Sequence, residues 1–218
     1  YDEYRRDPGY GKLNPFIRLL MPLLVPHQRQ LDLEAAKQVD VFIANSTETQ
    51  KRIKKYYSRS STVIHPPVET SRFTPARKRG DHYVTIGRQL PYKRYDLAVK
   101  AATKLNKKLI VFGNGPAHDQ LVKIAGPTVE FRTDRFGDAS DAEYEKAITT
   151  ARGFIYPAEE DFGIVSVEAL AAGAPVIGLA RGGTTDIVTS PDIGTLFHHQ
   201  TVDDVVKAVE IAEQTSFH

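Results

Sequence analysis

The sequence predicts an α/β protein in which a parallel sheet is wrapped by helices and preceded by a helical and stranded tail of another domain. Three observations carry this. Strand-like and helix-like patterns alternate from residue 83 to residue 214, which means strands joined by helical crossovers. A double proline, Pro66-Pro67, separates that series from the segment before it. Charge divides near the same place: residues 1 to 80 hold 15 Lys and Arg against 8 Asp and Glu, and the remainder hold 14 against 19.

Taken in order, the chain opens at Tyr1 with no basic-then-apolar leader, and so reads as a piece excised from a longer protein. From Asn14 to His27 an apolar run is interrupted by Arg18, Pro22 and Pro26, too short and broken to cross a bilayer. Packing against a neighbouring layer is its expected fate, with a membrane surface or a groove as alternatives. Leu31, Leu33, Ala35 and Ala36 then fall among charges as on one helix face, and residues 41–44 read as a short buried strand. Asn45-Ser46-Thr47 has the form of a glycosylation sequon but reads better as a strand end followed by a helix cap. Either Ser46 or Thr47, with Gln50, supplies the first-turn pattern for a helix through Tyr57. Residues 61–64 form a second strand, and 69–80, with Pro75 and the basic run Arg77-Lys78-Arg79, read as a linker.

Beyond it the predicted strands are 83–86, 109–112, 129–131, 153–156, 175–179 and 194–197. The predicted helices are 95–105, 117–124, 141–151, 165–172, 184–188 and 201–214. The division is therefore 1–64, the tail of a preceding domain; 65–80, a linker; and 81–218, the sheet domain.

Composition narrows the function. With 41% hydrophobic residues, 26% charged and no cysteine, the chain is an ordinary globular one without disulfides, thiolate metal sites or a cysteine nucleophile. A reducing compartment, the cytoplasm, is expected. No Gly-x-Ser-x-Gly occurs, and no Asp-x-Asp that would chelate a metal-bound diphosphate. The one histidine pair, His198-His199, lacks a third ligand at a recognisable spacing, so no metal site is expected. The basic N-terminal third lacks aromatics interleaved on a binding fold, which argues against nucleic acid.

In parallel sheets ligands sit beyond the C-terminal ends of the strands. Three loops there are informative. After strand 83–86, Gly87 is followed by Arg88 and Lys93, a pair of cations suited to a diphosphate. After strand 109–112, Gly113-Asn-Gly-Pro116 allows a tight turn but is not Gly-x-Gly-x-x-Gly, because His118 stands third. After strand 153–156 comes Glu160-Asp161-Phe162-Gly163-Ile164-Val165, leading to Glu168 in the following helix. Glycine at 163 lets backbone approach a ligand, and the helix start aims free N–H groups at the same space. A carboxylate is a double acceptor matched to a vicinal diol, so Glu168 suits a ribose and Glu160 a hexose. The plain alternative is an acidic loop that complements a helix dipole.

These pieces, with Asn45-Ser46, the segment Ile64 to Val68, Asp96 and the run Glu168 to Ile177, resemble the donor-binding half of a GT-B glycosyltransferase of family 4. That resemblance covers residues 41–214 and implies a Rossmann-like domain and a retaining enzyme that uses nucleotide sugars. It implies that Glu160 meets the sugar hydroxyls and Glu168 the ribose. Arg88 and Lys93 would neutralise the leaving diphosphate, and backbone N–H groups from Phe162 through Gly163 and Ile164 to Val165 would hold sugar and phosphate oxygens. The segment Phe136-Gly-Asp-Ala-Ser-Asp141 resembles the base-contacting loop, which adds Ala139 and Asp141 to Gly87 and Gly113 as donor-site residues. Retention in the family is attributed to attack from the leaving-group face, so Glu160 is not assigned as a nucleophile.

The wording around Glu160, the double proline and Tyr92-Lys93-Arg94 is most similar to mannosyltransferases that use GDP-mannose to extend bacterial surface polysaccharides. The implied partners are GDP-mannose or a UDP-sugar as donor and a glycan or lipid-linked acceptor, with peripheral contact at the inner membrane face and no cofactor. Two departures bear on the nucleotide: Asp186 stands where the family has glutamate after paired glycines, and Arg132-Thr-Asp-Arg135 is atypical of the base loop. With only the tail of the first domain, the chain is expected to bind nucleotide sugar but transfer little. The rivals are a nonenzymatic nucleotide-binding module, which would not need Glu160, and a sugar-nucleotide epimerase.

Overall fold

The computed structural model describes residues 14–132 and 141–217. The series of crossovers produces one six-stranded sheet, all parallel, in the order β5-β4-β3-β6-β7-β8. Its strands are β3 (His82–Ile86), β4 (Lys108–Phe112), β5 (Val129–Arg132), β6 (Gly153–Tyr156), β7 (Val176–Leu179) and β8 (Gly194–Phe197). The order builds outward from β3 in one direction and from β6 in the other, so at the β3–β6 boundary the chain reverses the direction in which it adds strands across the sheet, while the strands themselves stay parallel.

Period-two alternation along the strands divides the core into two layers. Tyr83, Leu109, Val111, Ile155, Ile177 and Leu179 face one side, where the helices Tyr95–Lys104 and Val202–Gln214 cover them. Val84, Ile86, Phe112, Phe154 and Val176 face the other, against Tyr144 and Ile148 of the helix Asp141–Thr149 and Ala169 of the helix Ile164–Ala171. Both faces are therefore covered, the condition a parallel sheet requires. The remaining helices, His118–Ile124 and Thr184–Ile187, complete the crossovers. Each predicted strand and helix of this block is present, with ends displaced by at most two residues.

Upstream, β1 (Ile43–Ala44) and β2 (Thr62–Val63) form a separate two-stranded parallel sheet around the helix Thr47–Tyr57. Ser46 is the cap of that helix, its hydroxyl accepting from the Thr49 N–H at 3.1 Å. Gln50 does not close the expected box: its amide donates instead to the Ser61 carbonyl at 2.7 Å, bracing the helix against the entry to β2. Residues 65–80 contain neither helix nor strand, yet Phe73 is buried edge-on against Tyr144, and Arg72 pairs with Glu145 at 2.8 Å.

The N-terminal segment departs from expectation. Pro15–Lys37 is one continuous helix with Pro22 and Pro26 inside it, opened by the Asn14 side chain accepting from the Phe16 N–H. Its apolar half is not packed on a layer: Phe16, Leu19 and Leu23 are 67, 71 and 73% exposed. Among the described residues no helix is long and apolar enough to cross a membrane.

Candidate active site

The loops after β3 and β6 emerge on either side of the chain reversal, and they meet. In the first, a short 3-10 turn, Pro91–Lys93, is closed by the Lys93 N–H donating to Leu90 O. It delivers the Lys93 ammonium to the second loop, where Nζ lies 2.6 Å from Oε1 of Glu160. Both side chains are largely withdrawn from water, at 16 and 22% exposure. A pair so placed is screened far less than a surface pair.

The other Glu160 oxygen, Oε2, accepts from the hydroxyl of Tyr156, the last residue of β6. Burial first, then the Glu160 charge and that hydrogen bond, push the Tyr156 hydroxyl far above its ordinary pKa. Tyr95 stands at the start of the next helix and donates to the Ile86 carbonyl at 2.7 Å, tying the helix to the end of β3. Its hydroxyl pKa is also raised, by burial and then by Glu160.

Glu168 lies one turn into the helix Ile164–Ala171 and accepts from Tyr144 at 3.0 Å. That helix starts one residue earlier than predicted, with Gly163 as its cap in the left-handed region at φ +92. Alanine here would be strained and would bring its Cβ to 3.1 Å from the Tyr156 ring. Neither the Ile164 nor the Val165 N–H has a backbone acceptor among the described residues, so both are free at the start of the helix that follows the Glu160 loop. Phe162 is buried and stacks on His65, ring centroids 5.2 Å apart, while His65 Nδ1 meets the Asn45 carbonyl at 3.0 Å.

The residues expected at the phosphate loop separate. Arg88 is exposed and forms no ion pair among the described residues, whereas Lys93 is engaged with Glu160. Gly87 and Gly113 lie at the C-terminal ends of β3 and β4, and the Gly87 N–H donates to Phe112 O at 3.2 Å. Buried Gln89 ties the two loops: its amide donates to Gly113 O at 2.7 Å and its carbonyl oxygen lies 2.8 Å from His118 Nδ1. Asp96 is paired with Arg94 at 3.0 Å and Lys100 at 3.3 Å. Ala139 lies outside the described residues, and Asp141 is the first residue of its helix.

Sequence reasoning did not single out Tyr95, Tyr144, Tyr156 or Gln89. For Tyr156 the available signal was a polar tip on a side chain expected in the core, at the end of a strand. Among the described residues no group of three or more His, Asp or Glu is placed to hold a metal.

The family model described as glycosyl transferases group 1 matches residues 67–216. A D-inositol 3-phosphate glycosyltransferase of Mycobacterium leprae is 27% identical over 199 residues, covering 81% of this chain and 46% of the relative. One from Mycobacterium bovis is 26% identical, covering 81% and 42%. The chain thus spans less than half the length of these curated relatives. Among solved structures, sucrose-phosphate synthase from Thermosynechococcus elongatus superposes with a TM-score of 0.71 at 19% identity over 87% of this chain and 53% of that one. Staphylococcus aureus TarM, in complex with UDP and an α-GlcNAc-glycerol, gives 0.70 at 17% identity over 84% and 38%. The pneumococcal O-GlcNAc transferase GtfA, in complex with UDP and GlcNAc, gives 0.62 at 19% over 84% and 40%. These structures share the fold.

Proposed function

Because the chain belongs to the glycosyl transferases group 1 family, we propose that it is the donor-binding part of a retaining enzyme that moves a hexose from a nucleotide sugar to a glycan or lipid-linked acceptor. The observation that carries this is the meeting of Lys93 and Glu160 across the chain reversal, with Glu168 one helical turn further on. A cation and a carboxylate in contact, followed in the chain by free N–H groups at the start of the helix that carries Glu168, offer complementary partners to a diphosphate, a sugar and a ribose.

The chemistry follows from where charge develops. Breaking the anomeric C–O bond leaves negative charge on the β-phosphate, and stabilising it is the main electrostatic task. Lys93 has three donors, so it can hold Glu160 and a phosphate oxygen together. Arg88, exposed at the same loop, would close on the diphosphate, and the N–H groups of Ile164 and Val165 would receive the remaining oxygens. Glu160 would hold sugar hydroxyls and Glu168 the ribose. This assignment gives the leaving charge to protein groups alone and needs no metal.

The donor we propose is GDP-mannose, on the wording of the phosphate and glutamate loops. A UDP-sugar is the second reading, favoured by the UDP present in the TarM and GtfA structures. Because the relatives are about twice as long, we further propose that this chain alone binds donor but transfers little sugar, and that the enzyme works in the cytoplasm at the inner membrane face.

Calorimetric titration with GDP, UDP, ADP and GDP-mannose, with and without magnesium, tests these points. GDP binding that weakens in Glu168→Ala supports the mannosyl reading; a UDP preference keeps the family and replaces the donor. Binding only in the presence of magnesium would overturn the metal-free assignment.

A further inference from the structure

We propose that Tyr156 is a positioning residue that aims the Glu160 carboxylate at the sugar, an inference that rests on the donor-site reading. Glu160 is held at both oxygens. Oε1 takes the Lys93 ammonium at 2.6 Å and Oε2 takes the Tyr156 hydroxyl, so the carboxylate cannot turn about its terminal torsion without losing one of them. The two donors come from opposite sides of the chain reversal, Lys93 from the loop after β3 and Tyr156 from the last residue of β6.

Tyr156 is itself fixed. Its backbone is paired with Gly178 in the sheet, it is 1% exposed, and its ring stacks on Phe154 with centroids 5.7 Å apart. The loop that carries Glu160 also folds back over that ring, where the absence of a side chain at Gly163 leaves room for it. A flexible loop carboxylate thereby takes its orientation from a rigid strand. Tyr95, the other buried tyrosine near Glu160, does not share this role, because its hydroxyl is spent on the Ile86 carbonyl. Each oxygen of Glu160 still has a free lone-pair direction, since a carboxylate offers about four acceptor sites and two are filled.

A merely structural tyrosine would affect folding or overall binding. A positioning tyrosine affects how well the site tells a nucleotide sugar from the bare nucleoside diphosphate. Tyr156→Phe keeps the ring and removes only the hydroxyl. With GDP and GDP-mannose, and with UDP and UDP-glucose, as paired probes, the variant is expected to bind the diphosphates like wild type. It should bind the better nucleotide sugar about fivefold or more weakly, as for loss of one hydrogen bond to a charged acceptor, while the retained diphosphate binding shows that any fall in melting temperature has not unmade the site. The same substitution in a Glu160→Ala background should have no further effect on sugar binding. Retained discrimination in Tyr156→Phe, or equal losses with and without Glu160, overturns the positioning role while leaving the donor site standing. Wild type that binds each sugar nucleotide no differently from its diphosphate overturns the donor-site reading and this inference with it.

Discussion

The carboxylate of Asp186 accepts from both the backbone N–H of Thr47, at 2.6 Å, and its hydroxyl, at 2.5 Å, across 139 residues of sequence. The helix Thr47–Tyr57 therefore begins on an anion supplied by the helix Thr184–Ile187, in addition to its own Ser46 cap. Negative charge at a helix N-terminus meets both the free N–H groups and the positive end of the dipole. Two further contacts join the same surfaces: Arg52 donates to Asp161, and His65 stacks on Phe162. Both partners lie in the Glu160 loop, so that loop is braced by the small sheet as well as by its own.

Asp186→Ala is accordingly expected to cost about 1 kcal/mol of stability, the scale of a lost charged cap. A double-mutant cycle with Thr47→Val, read by chemical denaturation, should show the hydroxyl's share of that loss as coupling, because the backbone N–H at 47 still meets Asp186 in the valine variant. Additive effects would mean that the hydroxyl contact contributes nothing to stability.

Under the proposed function, Lys93→Ala and Glu160→Ala, placed in a full-length transferring protein, should each lower turnover about tenfold or more, equivalent to roughly 1.4 kcal/mol of transition-state stabilisation. Their effects should not add, because each removes the other's partner at 2.6 Å. Steady-state kinetics of the two single variants and the double variant check this, and turnover unchanged in both singles would remove them from the site.

Much of this arrangement was legible in the sequence. The six βα units, the loops that bear Arg88, Lys93 and Glu160, and the helix that presents Glu168 were all readable from alternation and from glycine and proline placement. The helix Pro15–Lys37 was legible only in its second half, because two interior prolines in the first each remove a ladder hydrogen bond and argue for a break. Pro22 and Pro26 are four apart, so both gaps fall on one face and the other faces keep their ladder. The tyrosines were hidden for a different reason. Periodicity assigns Tyr156 to the core, which is correct for its ring, and carries no information about where its hydroxyl points. The Thr47–Asp186 contact depends on tertiary geometry that no local pattern encodes.

Gly182 sits at φ +64 and a Cβ there would come 2.3 Å from the Glu160 carbonyl oxygen, while the next N–H, that of Gly183, donates to that oxygen at 2.8 Å. Gly182→Ala should therefore destabilise by about 1 to 3 kcal/mol and displace the loop that carries Glu160. The expected reading is a lowered melting temperature together with weaker nucleotide-sugar binding; a variant that matches wild type in both would show that the loop has room to yield.

Far from the site, Glu213 on the last helix accepts from Tyr83 and Arg152 and pairs with Lys107 at 3.0 Å, joining that helix to the outer ends of β3, β4 and β6. Burial alone would raise its pKa, but the Tyr83, Arg152 and Lys107 hydrogen bonds outweigh it and hold the carboxyl at about 2, below the ordinary 4.5. A carboxyl depressed in the folded state binds fewer protons there than in the unfolded chain, so stability rises with pH between those values. The contribution is complete above about pH 4.5 and lost as pH falls through about 2. Allowing for water at this half-buried cluster, it amounts to roughly 2 kcal/mol. Denaturation of wild type and Glu213→Gln should differ by that amount at pH 7, by less at pH near 3, and converge in stronger acid; a difference independent of pH would assign the effect to packing rather than to charge.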